Sequence, residues 1–264
     1  MRARIMDSFV NPSNSCASQL DGRPRTFPHC EEVVNAALIA CGRLLRGRSG
    51  RPMMLLGGHG TGKTALLDEI GRQAAARNFL VAKITAPKND ALASRLVLEM
   101  REILLALSKS KDAGAFARQG LGILQRFASI YKMDAAGAAV APPDIPKAPD
   151  AISATEGVAD SGKLELDLPD LFAAVGEAAK ATGKGWLLLI DEVQSLNRKD
   201  LSALLASLHN INQLELPVMF VGAALPSTTR LIGDAKPYAE RLFRFCDLGT
   251  EPSADVSDAG AKPR

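Results

Sequence analysis

The stretch from Arg51 to Ile70 limits the fold of this chain more tightly than any other. Met53–Leu56 is a short apolar run suited to a buried strand. Gly57–Thr64 follows with the spacing G-x-x-x-x-G-K-T, and Ala65–Ile70 opens a helix. Strand, glycine loop and helix in that order are the setting in which backbone N–H groups and a helix N-terminus can cradle a polyphosphate. Gly57, Gly58, Gly60 and Gly62 let the backbone curl inward, and Lys63 is placed to reach β- and γ-phosphates. The Thr64 hydroxyl is of the kind that ligates Mg²⁺. The nucleotide-binding set read here is Gly57, Gly58, His59, Gly60, Thr61, Gly62, Lys63, Thr64 and Ala65. A glycine-rich turn with no ligand is the bland alternative, and Lys-Thr at the helix start argues against it.

A second block, Trp186–Val193, has an apolar run ending in Asp191 and Glu192. Alone, such a run is usually a buried strand meeting a polar loop. Behind a phosphate-binding loop it reads as the acidic partner of that loop. Asp191 is then expected to hold Mg²⁺, and Glu192 to orient and deprotonate the attacking water. ATP and Mg²⁺ are the implied ligands.

With 264 residues, 47% of them hydrophobic, the chain can bury a substantial core. A net charge of +3 is too small to argue for nucleic acid by itself. No apolar run approaches a membrane span, and the basic start has no apolar segment after it. Cys16, Cys30, Cys41 and Cys246 are scattered without metal-ligand spacing, which implies reduced thiols and a cytoplasmic protein. His209 has no second ligand near it and reads as a surface or interface residue.

Residues 1–28 lack periodicity and are expected to form a disordered leader. The core is expected over 29–248. Amphipathic spacing predicts helices over Glu31–Arg46, from the phosphate loop to about Arg77, to about Ser108, around Phe116–Tyr131, around Leu168–Ala179 and over Asn197–Gln213. Apolar runs predict strands at Phe79–Thr85 and Leu216–Ala224, with a further strand ending near Phe245. Leu225–Arg230 reads as a turn. Residues 134–162 are rich in Ala and Pro without period and read as a flexible insertion, and 249–264 as a disordered tail.

With these blocks in place, the chain resembles the AAA+ ATPases, in particular bacterial proteins with an origin-recognition-complex-like ATPase domain. Gly57–Thr64, Ser161–Leu168, Leu189–Gln194, Leu208–Asn210, Leu216–Gly222 and Lys236–Phe243 carry the likeness, which covers roughly residues 28–248. The resemblance implies an α/β fold of the P-loop NTPase type. In it, a parallel five-stranded sheet lies between helical layers, with ATP at the carboxyl ends of the strands. It further implies that Arg241, in Tyr238–Phe243, points at a neighbour's ATP, so that a second copy or a partner protein completes the site. The alternative is a surface arginine paired with Glu240.

The resemblance also expects a polar residue ending the fourth strand, where Gly222, Ala223 and Ala224 stand, with Ser227 and Thr228 the nearest hydroxyls. It expects a helical lid after the fifth strand, and this chain is read as lacking most of it. DNA is a partner by family analogy only, since Arg43, Arg46, Arg48 and Arg51 read as solvated surface. Two functions compete: an Mg²⁺-dependent ATPase acting on an unknown partner or remodelling task, and a nucleotide-gated binding module with little turnover.

Overall fold

A computed structural model describes residues 30–87, 91–110, 114–131 and 157–249. The predicted leader, most of the predicted insertion and the tail beyond Gly249 lie outside the described residues. In chain order the elements are α1 (Cys30–Leu44), β1 (Met53–Leu56), α2 (Lys63–Ala75), β2 (Phe79–Thr85), α3 (Leu92–Ser108), α4 (Gly114–Ile130) and α5 (Leu164–Ala181). There follow β3 (Gly185–Asp191), a 3-10 turn (Val193–Ser195), α6 (Arg198–Gln213), β4 (Val218–Ala224), α7 (Thr228–Ala235), α8 (Ala239–Leu242) and β5 (Arg244–Asp247). The strands form one sheet in the order β2-β3-β4-β1-β5, and every pairing is parallel.

Alternation of side chains along each strand divides the core in two. Met53 and Leu55 of β1, Leu187 and Leu189 of β3, and Met219, Val221 and Ala223 of β4 pack against α1 and α2. Their neighbours Met54, Leu56, Leu188, Ile190, Val218 and Phe220 join the opposite cluster, built on α3, α4, α5 and α6. Covering both faces is what demands unbroken apolar runs, and β1, β3 and β4 are buried at every position. The outer strands β2 and β5 expose part of their length. Lys83 on β2 pairs with Asp68 of α2, so one edge carries charge. No described helix is long and apolar enough to cross a membrane.

Two buried carboxylates lock the helices on the α3–α6 face. Asp200, 4% exposed, accepts the Leu92 N–H at 3.0 Å and so caps α3 from the first turn of α6. Its own N–H is held by the Asn197 side chain at 2.9 Å, which caps α6 in turn. Asp200→Ala leaves the Leu92 N–H and the Asn197 amide without an acceptor, and is expected to cost about 1–3 kcal/mol. Urea denaturation of both proteins measures it; equal midpoints would reject the capping role.

Asp167 accepts the Tyr131 hydroxyl at 2.9 Å, the Ser161 N–H at 3.0 Å and hydroxyl at 2.6 Å, and the Gly162 N–H at 2.9 Å. Arg126 and the Gly157 N–H both donate to Asp160. Gly157–Gly162, the end of the predicted insertion, is therefore tied to α4 and α5. Leu225–Arg230 also differs from its reading, because the turn ends at Ser227 and α7 begins at Thr228. Only Thr228 and Ile232 of that helix are buried, a stripe too short to register as periodicity.

Candidate functional site

β1 lies between β4 and β5, and the chain leaves its carboxyl end into the glycine loop. The Gly57 N–H donates to the Ala224 carbonyl at 3.2 Å, which fixes the loop's first residue against β4. A Cβ at Gly57 would stand 2.5 Å from Thr61 Oγ1, whose hydroxyl donates to the Gly58 carbonyl at 2.9 Å. Gly60 and Gly62 both have φ of 80°, which only glycine adopts without strain. This curl delivers the chain to α2 with no side-chain cap at Gly62. The first N–H groups of α2 consequently have no intrahelical acceptor and face outward from the helix end.

Lys63 is buried, and its ammonium donates to the Gly57 carbonyl at 3.0 Å and the Gly58 carbonyl at 2.5 Å. Burial lowers its pKa, while the nearby Glu192 and Asp191 charges oppose that shift. Thr64 donates from Oγ1 to Asp191 Oδ2 at 2.5 Å, across 127 positions of sequence. The other Asp191 oxygen accepts the Glu192 N–H at 2.9 Å. Among the described residues no group of three or more His, Cys, Asp or Glu could hold a metal ion. A hydroxyl and a carboxylate alone are a hard-oxygen pair of the sort that completes a Mg²⁺ shell with phosphate oxygens and water.

Glu192 has φ 56° and ψ 40°, a left-handed conformation that non-glycine residues rarely take. Its side chain is half-buried, and its Oε2 accepts the Gln194 Nε2 amide at 2.5 Å. The same Gln194 accepts the Leu225 N–H on Oε1 at 3.2 Å, just beyond β4. The sequence reading has Gln194 only as the last residue of the Leu189–Gln194 block and gives it no role, since past the strand no periodicity singles it out. Of the two hydroxyls noted near β4, Ser227 is exposed and Thr228 is fully buried with no partner for its Oγ1 among the described residues.

Of the remaining predicted residues, His59 and Gly60 are exposed on the loop and Ala65 is half-buried in the first turn of α2. Arg241 is elsewhere. It is exposed on α8, and no carboxylate among the described residues pairs with its guanidinium, Glu240 included. Because Arg244 of β5 stands beside Met53 at the start of β1, Arg241 lies off the end of the sheet opposite the glycine loop. The arginines before β1, Arg43, Arg46, Arg48 and Arg51, are all exposed, and two of them also hold backbone carbonyls. Arg51 donates to the carbonyls of Arg241 and Phe243 at 2.8 Å each, clamping α8 to β5, and Arg43 donates to Ser49 O at 3.1 Å.

The family described as the AAA ATPase domain matches residues 27–221, well over half of the chain. The chain belongs to the AAA ATPase domain family. No curated protein matches it. Among solved structures, the Aeropyrum pernix ORC2 protein in ADPNP–ADP complexes is 16% identical with a TM-score of 0.46, over 87% of this chain and 49% of that one. Its ADP form is 14% identical with a TM-score of 0.43, over 88% and 51%. Drosophila ORC bound to AT-rich DNA and Cdc6 is 12% identical with a TM-score of 0.41, over 84% and 59%. The chain thus spans about half the length of these Aeropyrum pernix structures. AAA domains bind ATP, and the parallel sheet with the glycine loop at its carboxyl edge is the architecture expected of the family.

Proposed function

We propose that this chain binds ATP with Mg²⁺ at Gly57–Ala65 and hydrolyses it to ADP and phosphate, in the service of a partner or remodelling task. The reading is carried by one observation: Thr64 and Asp191 meet at 2.5 Å beside the buried Lys63. Two oxygen ligands and a cation for the phosphates converge from distant parts of the sequence on one open helix end. In this reading Lys63 leaves the Gly57 and Gly58 carbonyls to engage the β- and γ-phosphates, and the loop N–H groups hold the remaining oxygens. Thr64 and Asp191 hold Mg²⁺, which when bound would neutralise charge developing on the phosphoryl oxygens. Glu192 orients the water and takes its proton, and Arg241 acts on the ATP of a second copy or of a related subunit.

The test is equilibrium binding of a fluorescent ATP analogue to the wild type and to Lys63→Ala. Loss of the cation is expected to weaken binding beyond detection at micromolar protein; unchanged affinity would sink the assignment of the loop. A second reading, a nucleotide-gated binding module that scarcely turns over, is favoured by the apolar end of β4, where Ala223 and Ala224 are fully buried. Steady-state turnover of ATP and GTP, with and without DNA, separates the two. DNA enters that assay because the Drosophila assembly was solved with it.

A further inference from the structure

We propose that Gln194 is a positioning residue for hydrolysis, a bridge that sets the Glu192 carboxylate from the end of β4. The inference deepens the ATPase reading above and rests on it. Three observations carry it. First, β4 ends in Ala223 and Ala224 and offers no polar side chain there; Ser227 is exposed and Thr228 is fully buried. Second, Gln194 uses both ends of its amide at once, donating through Nε2 to Glu192 Oε2 and accepting the Leu225 N–H through Oε1. Third, Glu192 sits in the left-handed region, a costly conformation that persists only where neighbours hold it. The Ser195 N–H donates to the Glu192 carbonyl at 2.8 Å, so the 3-10 turn that bears Gln194 also grips the strained residue.

These facts fit a single mechanical role. The Glu192 carboxylate has two oxygens, and the bridge ties Oε2 while no described residue donates to Oε1. An untethered glutamate on a three-bond side chain samples several rotamers, few of which point one oxygen at a water beside the phosphate. Tethering one oxygen leaves the other free and aimed, and misplacement of a catalytic group by an ångström costs about 100-fold in rate. The tether also joins two strands. Glu192 follows β3 and Leu225 follows β4, so any shift of the β4 end reaches the carboxylate through one amide.

The decisive variant is Gln194→Glu, which keeps the length and shape and can still accept the Leu225 N–H, but replaces the donor to Glu192 with a carboxylate that repels it. A purely structural role for the Leu225 contact would survive this change. A positioning role would not: kcat is expected to fall about tenfold to 100-fold with the affinity for ATP unchanged within about twofold. Gln194→Asn, one carbon shorter, should fail similarly, and a wild-type kcat in Gln194→Glu would overturn the proposal while leaving the ATPase reading intact. Should wild-type turnover equal that of Glu192→Gln, the ATPase reading itself fails, and a measurement without turnover decides the bridge. That measurement is amide hydrogen exchange at Leu225 by NMR. Exchange there should quicken about tenfold or more in Gln194→Ala, and also in Glu192→Ala, which frees the amide at its far end. Unchanged exchange in both variants would overturn the bridge.

Discussion

Arg241→Ala is expected to lower ATP turnover by about 10³–10⁵ while leaving ATP affinity intact, the size of effect that an arginine supplied in trans has on phosphoryl transfer. In that reading the ATP it acts on belongs to another molecule, because the fold sets Arg241 far from its own loop. β1 and β5 run in register from Met53 beside Arg244 to Leu56 beside Asp247, and the glycine loop follows Leu56. Arg241 precedes β5, so the length of the strands, about 13 Å for four residues, separates it from its own loop. Its exposure and the absence of a paired carboxylate among the described residues leave the guanidinium available to a neighbour. Arg51 holds the carbonyls of Arg241 and Phe243, which fixes the backbone from which it projects. Activity per subunit should accordingly rise with protein concentration. A mixture of Arg241→Ala with Lys63→Ala should recover part of the rate, since one keeps the nucleotide site and the other keeps the arginine. Concentration-independent turnover together with a silent Arg241→Ala would rule out the trans role.

Glu192→Gln should lower kcat by about 10²–10⁴ with ATP still bound, the range typical of a lost general base. Glutamine preserves length and can still accept the Gln194 amide through its oxygen, so the geometry around the 3-10 turn is retained. Only basicity is removed. Single-turnover hydrolysis of radiolabelled ATP, alongside direct binding, separates chemistry from affinity. If the wild type hydrolyses no faster than the variant, the chain acts as a nucleotide-gated module, and Glu192 is an acidic residue after β3 without a base's role.

Most elements were legible because burial on both sheet faces writes itself into the chain. β1 and β2 carry the bounds expected of them, and α6 runs to Gln213 behind its Asn197 cap. α4 forms through Gly120 and Gly122, both buried, and a Cβ at Gly120 would meet Leu104 of α3 at 2.7 Å. The missing side chain at Gly120 lets α4 approach α3, a gain that outweighs the residue's low helix propensity. α7 was missed for the opposite reason, having too few buried positions to show a period. The arginines before β1 are exposed, as their charge run suggests, but such a run records nothing about distant carbonyls. Arg51 binds two of them, nearly 200 positions away.

The sequence by itself determined the chemistry on offer. Glycines at fixed spacing, a lysine and a threonine at a helix start, and two carboxylates closing an apolar run are local patterns, set by what the backbone permits at each residue. They named Lys63, Thr64, Asp191 and Glu192 without any knowledge of contacts, while the parallel sheet was expected only through the family resemblance those patterns carry. Only the tertiary structure decided how these parts face one another. It brought Thr64 onto Asp191, sent Arg241 to the far end of the sheet, buried Thr228 out of use and gave the end of β4 to Gln194. The reason is physical: strand order and register are settled by packing between segments far apart in the chain, and that packing leaves no trace in the spacing of any one of them.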